Sequence, residues 1–135
     1  MSGTDTKGRK PTIVLVVEDE MFVRCNLAEC LREADCIVLE AANAEHAMAF
    51  CHDGKPVHIL ITDIHLNDTV TGWDVAEAFR ASRNDIPVIY TSENAPDRTR
   101  SVPNSMFFNK PYRPAEILRA CRQLVGAGRL DADWA

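Results

Sequence analysis

The residues of this chain best able to do chemistry stand where short apolar runs break off. The run Val57-His58-Ile59-Leu60-Ile61-Thr62 stops at Asp63, and its largely apolar, β-branched make-up is that of a strand buried on both faces of a sheet. Thr12-Ile13-Val14-Leu15-Val16-Val17 runs directly into Glu18-Asp19-Glu20. Ile86-Pro87-Val88-Ile89-Tyr90 closes on two hydroxyls, Thr91 and Ser92, and Met106-Phe107-Phe108 leads into Asn109-Lys110. Each group also has an ordinary explanation. Asp is a common cap, so Asp63 can close a turn or start the next helix. Acids favour helix starts, which accounts for one or two of the three after Val17. Capping does not explain why the other runs end in reactive groups as well.

Between these runs, apolar residues recur at helical spacing. Val23, Leu27, Cys30, Leu31 and Ala34 form one stripe, with Arg24, Glu29, Arg32 and Glu33 off it. Residues 36–40 read as a second strand. Asn43 reads as the N-cap of a short helix through Cys51, ended by Asp53-Gly54. After a loop to Gly72, residues 73–81 form an amphipathic helix that buries Val75, Ala76 and Phe79. Pro114 starts a last helix with Ile117, Leu118, Cys121, Leu124 and Val125 as its stripe, stopped by Gly126 and Gly128. Strand and helix thus alternate five times. The pattern predicts an α/β fold, a doubly wound five-stranded parallel sheet with helices on both faces. One domain spans residues 12–126, with a flexible lead-in over 1–11 and a polar tail over 127–135.

In a flavodoxin-like strand order of 2-1-3-4-5, the first and third strands are neighbours at the switch point, where such sheets bind ligands beyond their carboxyl ends. Asp19 and Asp63 then share one cleft. Crowded carboxylates repel one another unless a cation is bound. Hard oxygen donors in a partly hydrated site suit Mg²⁺, which takes one or two carboxylates together with phosphate oxygens. The Ser92 hydroxyl and the Lys110 ammonium face the same cleft and add two contacts for a phosphoryl group. The set fits an aspartate that accepts a phosphoryl group while metal and lysine neutralise charge.

With these residues in place, the chain resembles a response-regulator receiver domain of two-component signalling. The matching stretches are Val16-Val17-Glu18-Asp19-Glu20, Ile61-Thr62-Asp63, residues 86–92, and Lys110-Pro111-Tyr112. They occur in order over about residues 12 to 126, nearly the whole chain. The resemblance implies that Asp63 is the phosphoacceptor and that Glu18 and Asp19 are the metal-binding acids. It implies that the His65 backbone carbonyl is a further metal ligand. Ser92 takes the place of the switch hydroxyl, Lys110 binds the phosphoryl oxygen, and Phe107 is the switch aromatic. The Lys110–Pro111 peptide is expected to be cis. The phosphoryl donor is expected to be a sensor histidine kinase or a histidine phosphotransfer protein.

The chain departs from that pattern in places. Glu93 follows Ser92 where the family has a small residue, so a carboxylate is expected to crowd the phosphoryl group. The loop between Asp63 and Gly72 is one residue longer and lacks the family's usual proline. Seventeen residues separate Ser92 from Lys110, fewer than the family usually has. With Pro96 and Pro103 in that stretch, a fourth helix has room for about two turns.

Composition narrows the classes. Apolar residues make up 46% and charged residues 26% of the chain, the balance of an ordinary globular domain. A net charge of −5 disfavours direct binding to nucleic acid. No run approaches a membrane span and no apolar signal core is present, so the cytoplasm is the expected compartment. The five cysteines lack paired-ligand spacing and read as reduced thiols, mostly in the core. His46, His52 and His58 read as surface or strand-end residues, and Arg98, Arg100 and Arg113 as a solvated face. A flavodoxin would place its phosphate loop where Glu18-Asp19-Glu20 stands, and the glycine-rich loop of a nucleotide hydrolase is missing. An aspartyl-nucleophile hydrolase would usually carry a second acid close after the first, and a cap domain. No effector domain is read after Gly126. The expectation is therefore a stand-alone receiver, monomeric or weakly homodimeric, that takes part in its own phosphorylation rather than turning over a substrate. Its downstream target is not named by the sequence. The alternative is a receiver-like interaction module that works without phosphorylation.

Overall fold

The computed structural model describes residues 11–66, 69–94 and 97–125. Apart from Pro11, the expected lead-in and the polar tail lie outside the described residues. The elements run β1 (Ile13–Val17), α1 (Met21–Glu33), β2 (Ile37–Ala41), α2 (Ala44–His52), β3 (Ile59–Asp63), α3 (Gly72–Ser82), β4 (Val88–Ser92), β5 (Ser105–Asn109) and α4 (Pro114–Val125). All strand pairs are parallel, in the order β2-β1-β3-β4-β5. This is the doubly wound α/β sheet expected from the alternating pattern.

Successive strand residues point to opposite faces, and both faces are covered. Leu15, Val17, Leu60, Val88 and Tyr90 face α2 and α3, where Ala47, Ala76 and Phe79 are buried. Val14, Val16, Ile59, Ile61 and Ile89 face α1 and α4, against Leu27, Leu31, Ile117 and Cys121. Burying each such large side chain contributes about 1.5–3 kcal/mol. Asn43 caps α2 as expected, its side chain accepting from the His46 N–H. Cys36, Cys51 and Cys121 are buried, but Cys25 is exposed and Cys30 is half-buried on α1.

The fourth crossover departs from expectation. No helix lies between β4 and β5 among the described residues, which run there as bends and turns. Local chemistry accounts for this. The Asp97 carboxylate accepts from the Thr99 N–H, and the Ser101 N–H donates to the Arg98 carbonyl. These are turn bonds that compete with a helical ladder. Pro103 turns Val102 away from helical dihedrals. The Val102 N–H donates instead to the Tyr90 hydroxyl at 3.2 Å. Pro96 lies outside the described residues.

At the opposite edge of the sheet, His58 holds the start of β1, its Nδ1 accepting from the Ile13 N–H at 2.9 Å. Burial holds this imidazole below its usual value. The unfolded chain therefore takes up a proton at a higher pH than the folded one. The stability contributed by the neutral ring is full above about pH 6.5 and is lost as pH falls toward the lower folded value. His58→Asn keeps an acceptor without the titration. Its urea midpoint should fall less than the parent's between pH 7 and pH 5, and equal falls would contradict the assignment.

Candidate functional site

The strand register sets the site. Val17 pairs with Thr62, Asp63 with Thr91, and Ser92 with Asn109, so β1, β3, β4 and β5 finish at one edge. Beyond that edge lies a cleft of about 800 Å³, lined by Glu18, Asp19, Asp63, His65, Glu93 and Lys110 among others. Carboxylate oxygens of Glu18, Asp19 and Asp63 lie within 4.8 Å of one another. Lys110 joins two of them, its Nζ 2.6 Å from Glu18 Oε1 and 2.9 Å from Asp63 Oδ2. The Lys110–Pro111 peptide that precedes Tyr112 is cis.

Both joined carboxylates are buried, Glu18 at 2% and Asp63 at 6% exposure. Burial pushes Glu18 up to about 6, against the lowering effect of Lys110 and the Glu20 N–H. Burial likewise raises Asp63, opposed by Lys110 and by the His65 N–H, which lies 3.4 Å from Oδ1. Burial alone would lower Lys110, but its bonds to Glu18 and Asp63 outweigh that and hold it well above the usual range. Tyr112 on the cleft wall is pushed up to about 12 by burial, with the Glu18 charge adding to the effect. The site is thus two poorly solvated carboxylates bound to one firmly charged ammonium, with a third carboxylate beside them.

That donor set suits a hard divalent cation. Three carboxylates converge, and among the described residues the buried Glu18 Oε1 meets only the Lys110 ammonium, at 2.6 Å. Among the described residues these three form the one group of acids, histidines and thiols close enough to share an ion.

The remaining residues named from the sequence fall into place unevenly. Ser92 is fully buried, and its hydroxyl accepts from the Asn94 N–H at 3.2 Å. His65 has its side chain exposed on the cleft wall. Glu93 is exposed on the rim of the cleft. Phe107 is half-buried one strand away, opposite Tyr90 in the register, and lies under the Arg98 guanidinium at 4.1 Å.

Two supporting residues escaped the sequence reading. Arg24 on α1 donates from Nη1 to the Glu18 carbonyl at 2.9 Å, while its Nε bonds Glu40 at 3.1 Å. It ties the end of β1 to β2, although periodicity places it off the apolar stripe. Gly72 packs on Asp63 so closely that an added Cβ would lie 2.1 Å from the Asp63 carbonyl oxygen. The Thr71 and Asp74 capping box that starts α3 there has a sequence signal, a Thr followed three residues later by an acid.

A family model of the response regulator receiver domain matches residues 14–122. The chain belongs to the receiver-domain family. It is 28% identical over 131 residues to the transcriptional regulatory protein PdtaR of Mycobacterium tuberculosis, a match over 93% of this chain and 62% of that protein. The chain thus spans less than two thirds of that relative's length. Its fold superposes on a response regulator receiver protein from Sinorhizobium medicae with a TM-score of 0.83 at 25% identity, covering 87% of this chain and 97% of the other. The Vibrio cholerae chemotaxis protein CheY4 superposes with a TM-score of 0.75 at 20% identity, over 85% and 99% of the two chains. Receiver domains act in two-component signalling with histidine kinases or phosphotransfer proteins. Among the described residues, no helix of this receiver is long and apolar enough to cross a membrane.

Proposed function

We propose that this receiver takes a phosphoryl group onto Asp63 from a histidine kinase or a histidine phosphotransfer protein, in a Mg²⁺-dependent step. The phosphorylated form then signals through altered protein contacts or by passing the group onward, in the cytoplasm, as a monomer or weak homodimer. The observation that carries this reading is Lys110 Nζ seated between Glu18 and Asp63 in an open, acid-lined cleft.

In the transfer, an Asp63 carboxylate oxygen forms the new O–P bond while the P–N bond to the donor histidine breaks. Burial leaves the Asp63 oxygens poorly hydrated, so little water must be displaced before attack. Lys110 keeps its proton and moves its charge from the carboxylate pair to a phosphoryl oxygen. Glu18, Asp19 and Asp63 would hold Mg²⁺, with the His65 carbonyl as a further donor. The ion would neutralise the charge that builds on the phosphoryl oxygens. Ser92 is one strand over, and its hydroxyl can leave the Asn94 N–H for a phosphoryl oxygen.

Incubation with acetyl phosphate and Mg²⁺ should add one phosphoryl group per chain by intact mass, mapping to Asp63 and labile to base. Labelling unaffected by chelation, or mapping elsewhere, would overturn the reading and favour an interaction module that works without phosphorylation.

A further inference from the structure

We propose that Arg24 is a positioning residue for the acidic site, holding the turn that carries Glu18 and Asp19 and so setting how tightly the cleft binds Mg²⁺. This rests on the reading of Glu18, Asp19 and Asp63 as the ligands of that ion. Arg24 itself stands on α1, outside the lining of the cleft. Glu18 is held at each of its polar groups. Its N–H donates to the Ala41 carbonyl at 3.0 Å, and its carbonyl accepts from Arg24 Nη1 at 2.9 Å. Its Oε2 accepts from the Glu20 N–H at 3.0 Å, and its Oε1 meets Lys110. Arg24 Nε lies in turn 3.1 Å from Oε1 of Glu40, the residue before Ala41 on β2. The Glu18 backbone is therefore framed by the last two residues of β2, directly by Ala41 and through Arg24 by Glu40.

Two features give this one side chain its weight. The first is the helix it belongs to. Glu20, the N-cap of α1, makes no side-chain cap bond, and the first turn of the helix carries no acid. Such a start leaves the entry of the chain to other contacts, whereas α3 fixes its own with a full capping box. The second feature is the anchor. The Arg24 and Glu40 side chains are only 16% and 27% exposed, so salt screens their pairing less than that of an exposed pair. A guanidinium carries its donors in a rigid planar fork and serves the Glu40 carboxylate and the Glu18 carbonyl together. An ammonium is a point charge and does not reproduce both bonds in that geometry. A shift of the Glu18 backbone passes directly to Asp19, the next residue and the third carboxylate of the cluster. Removing a group that orients metal ligands without touching the metal typically costs about 10–100-fold in affinity.

Calorimetric titration of the full chain with Mg²⁺, paired with amide exchange in metal-free protein, tests this. Arg24→Ala should weaken Mg²⁺ binding about tenfold, the lower end for loss of an orienting group, and speed exchange of the Glu18 and Glu20 amides. Arg24→Lys should fall between that variant and the parent. Arg32→Ala is the matched control. It removes the second ion pair of Glu40 and a bond to the Val38 carbonyl, yet leaves Arg24 on Glu18. General loosening between α1 and β2 would show there as well, but Mg²⁺ affinity and both amides should match the parent. Parent-like affinity or parent-like exchange in Arg24→Ala would overturn the proposal, as would equal losses in Arg24→Ala and Arg32→Ala. If Arg24→Ala does not fold, Arg24→Lys set against Arg32→Ala decides in the same way. A parent that takes up no Mg²⁺ would overturn the metal reading, and the effect on affinity with it. Exchange of the two amides would then still decide whether Arg24 holds the turn.

Discussion

Asp63→Asn is expected to take up no phosphoryl group from acetyl phosphate, yet to fold at least as stably as the parent at pH 7. The first half follows from chemistry, since an amide has no carboxylate oxygen to attack phosphorus. The second half follows from the sign of the shift. Burial raises Asp63, so the folded chain holds this proton more tightly than the unfolded chain does. At a pH above both values, the ionised group lowers stability, and an uncharged side chain of the same shape removes that penalty. The variant loses an ion pair with Lys110, but the ammonium keeps Glu18 at 2.6 Å. A third readout separates this site from a merely structural one. Mg²⁺ should raise the melting temperature of the parent more than that of Asp63→Asn, because one of the three converging carboxylates is gone. Residual labelling of the variant at the parent's rate would move the phosphoacceptor elsewhere. Equal stabilisation by Mg²⁺ would move the metal.

The ends of the strands were the legible part of this site. A buried parallel strand leaves a continuous apolar run in the sequence, so the residue that breaks it is visible. Val17 before Glu18 and Thr62 before Asp63 mark the cleft in this way, and the sheet order then brings the two together. Arg98 and Arg100 were illegible for the opposite reason. Their partners, Phe107, Asp74 and Glu77, lie on other elements, and nothing in an exposed Arg-Thr-Arg stretch announces them. Among the described residues the expected fourth helix does not form, because room for about two turns does not outweigh turn chemistry. Asp97 and Pro103 each favour turns over a helical ladder. His58 read as a bland strand-end residue because its partner is a backbone N–H, which leaves no trace in side-chain pattern.

The close approach of Gly72 to Asp63 is a tertiary fact of the same kind, and it leads to the other large effect expected here. Gly72→Ala should destabilise the fold by about 1–3 kcal/mol, the range for overpacking a tight core, and should slow labelling of Asp63 as well. The added methyl would sit 2.1 Å from the Asp63 carbonyl oxygen and 2.8 Å from the Ile64 Cα. Both are backbone atoms, so no rotamer change relieves the clash. Either α3 must withdraw or the end of β3 must shift. Withdrawal of α3 strains the Gly72 N–H bond to the Ile64 carbonyl at 2.8 Å and the Trp73 packing on Tyr90. A shift of β3 moves the Asp63 carboxylate off Lys110. Gly54 supplies the control, because its φ of +68° lies in the left-handed region while nothing stands within 4 Å of an added Cβ. Gly54→Ala should therefore cost about 1 kcal/mol through backbone strain alone and leave the labelling rate unchanged. Urea unfolding and acetyl-phosphate labelling of the two variants side by side would separate conformational strain from displacement of the site. Parent-like stability and labelling in Gly72→Ala would mean that α3 does not press on the strand that ends at Asp63.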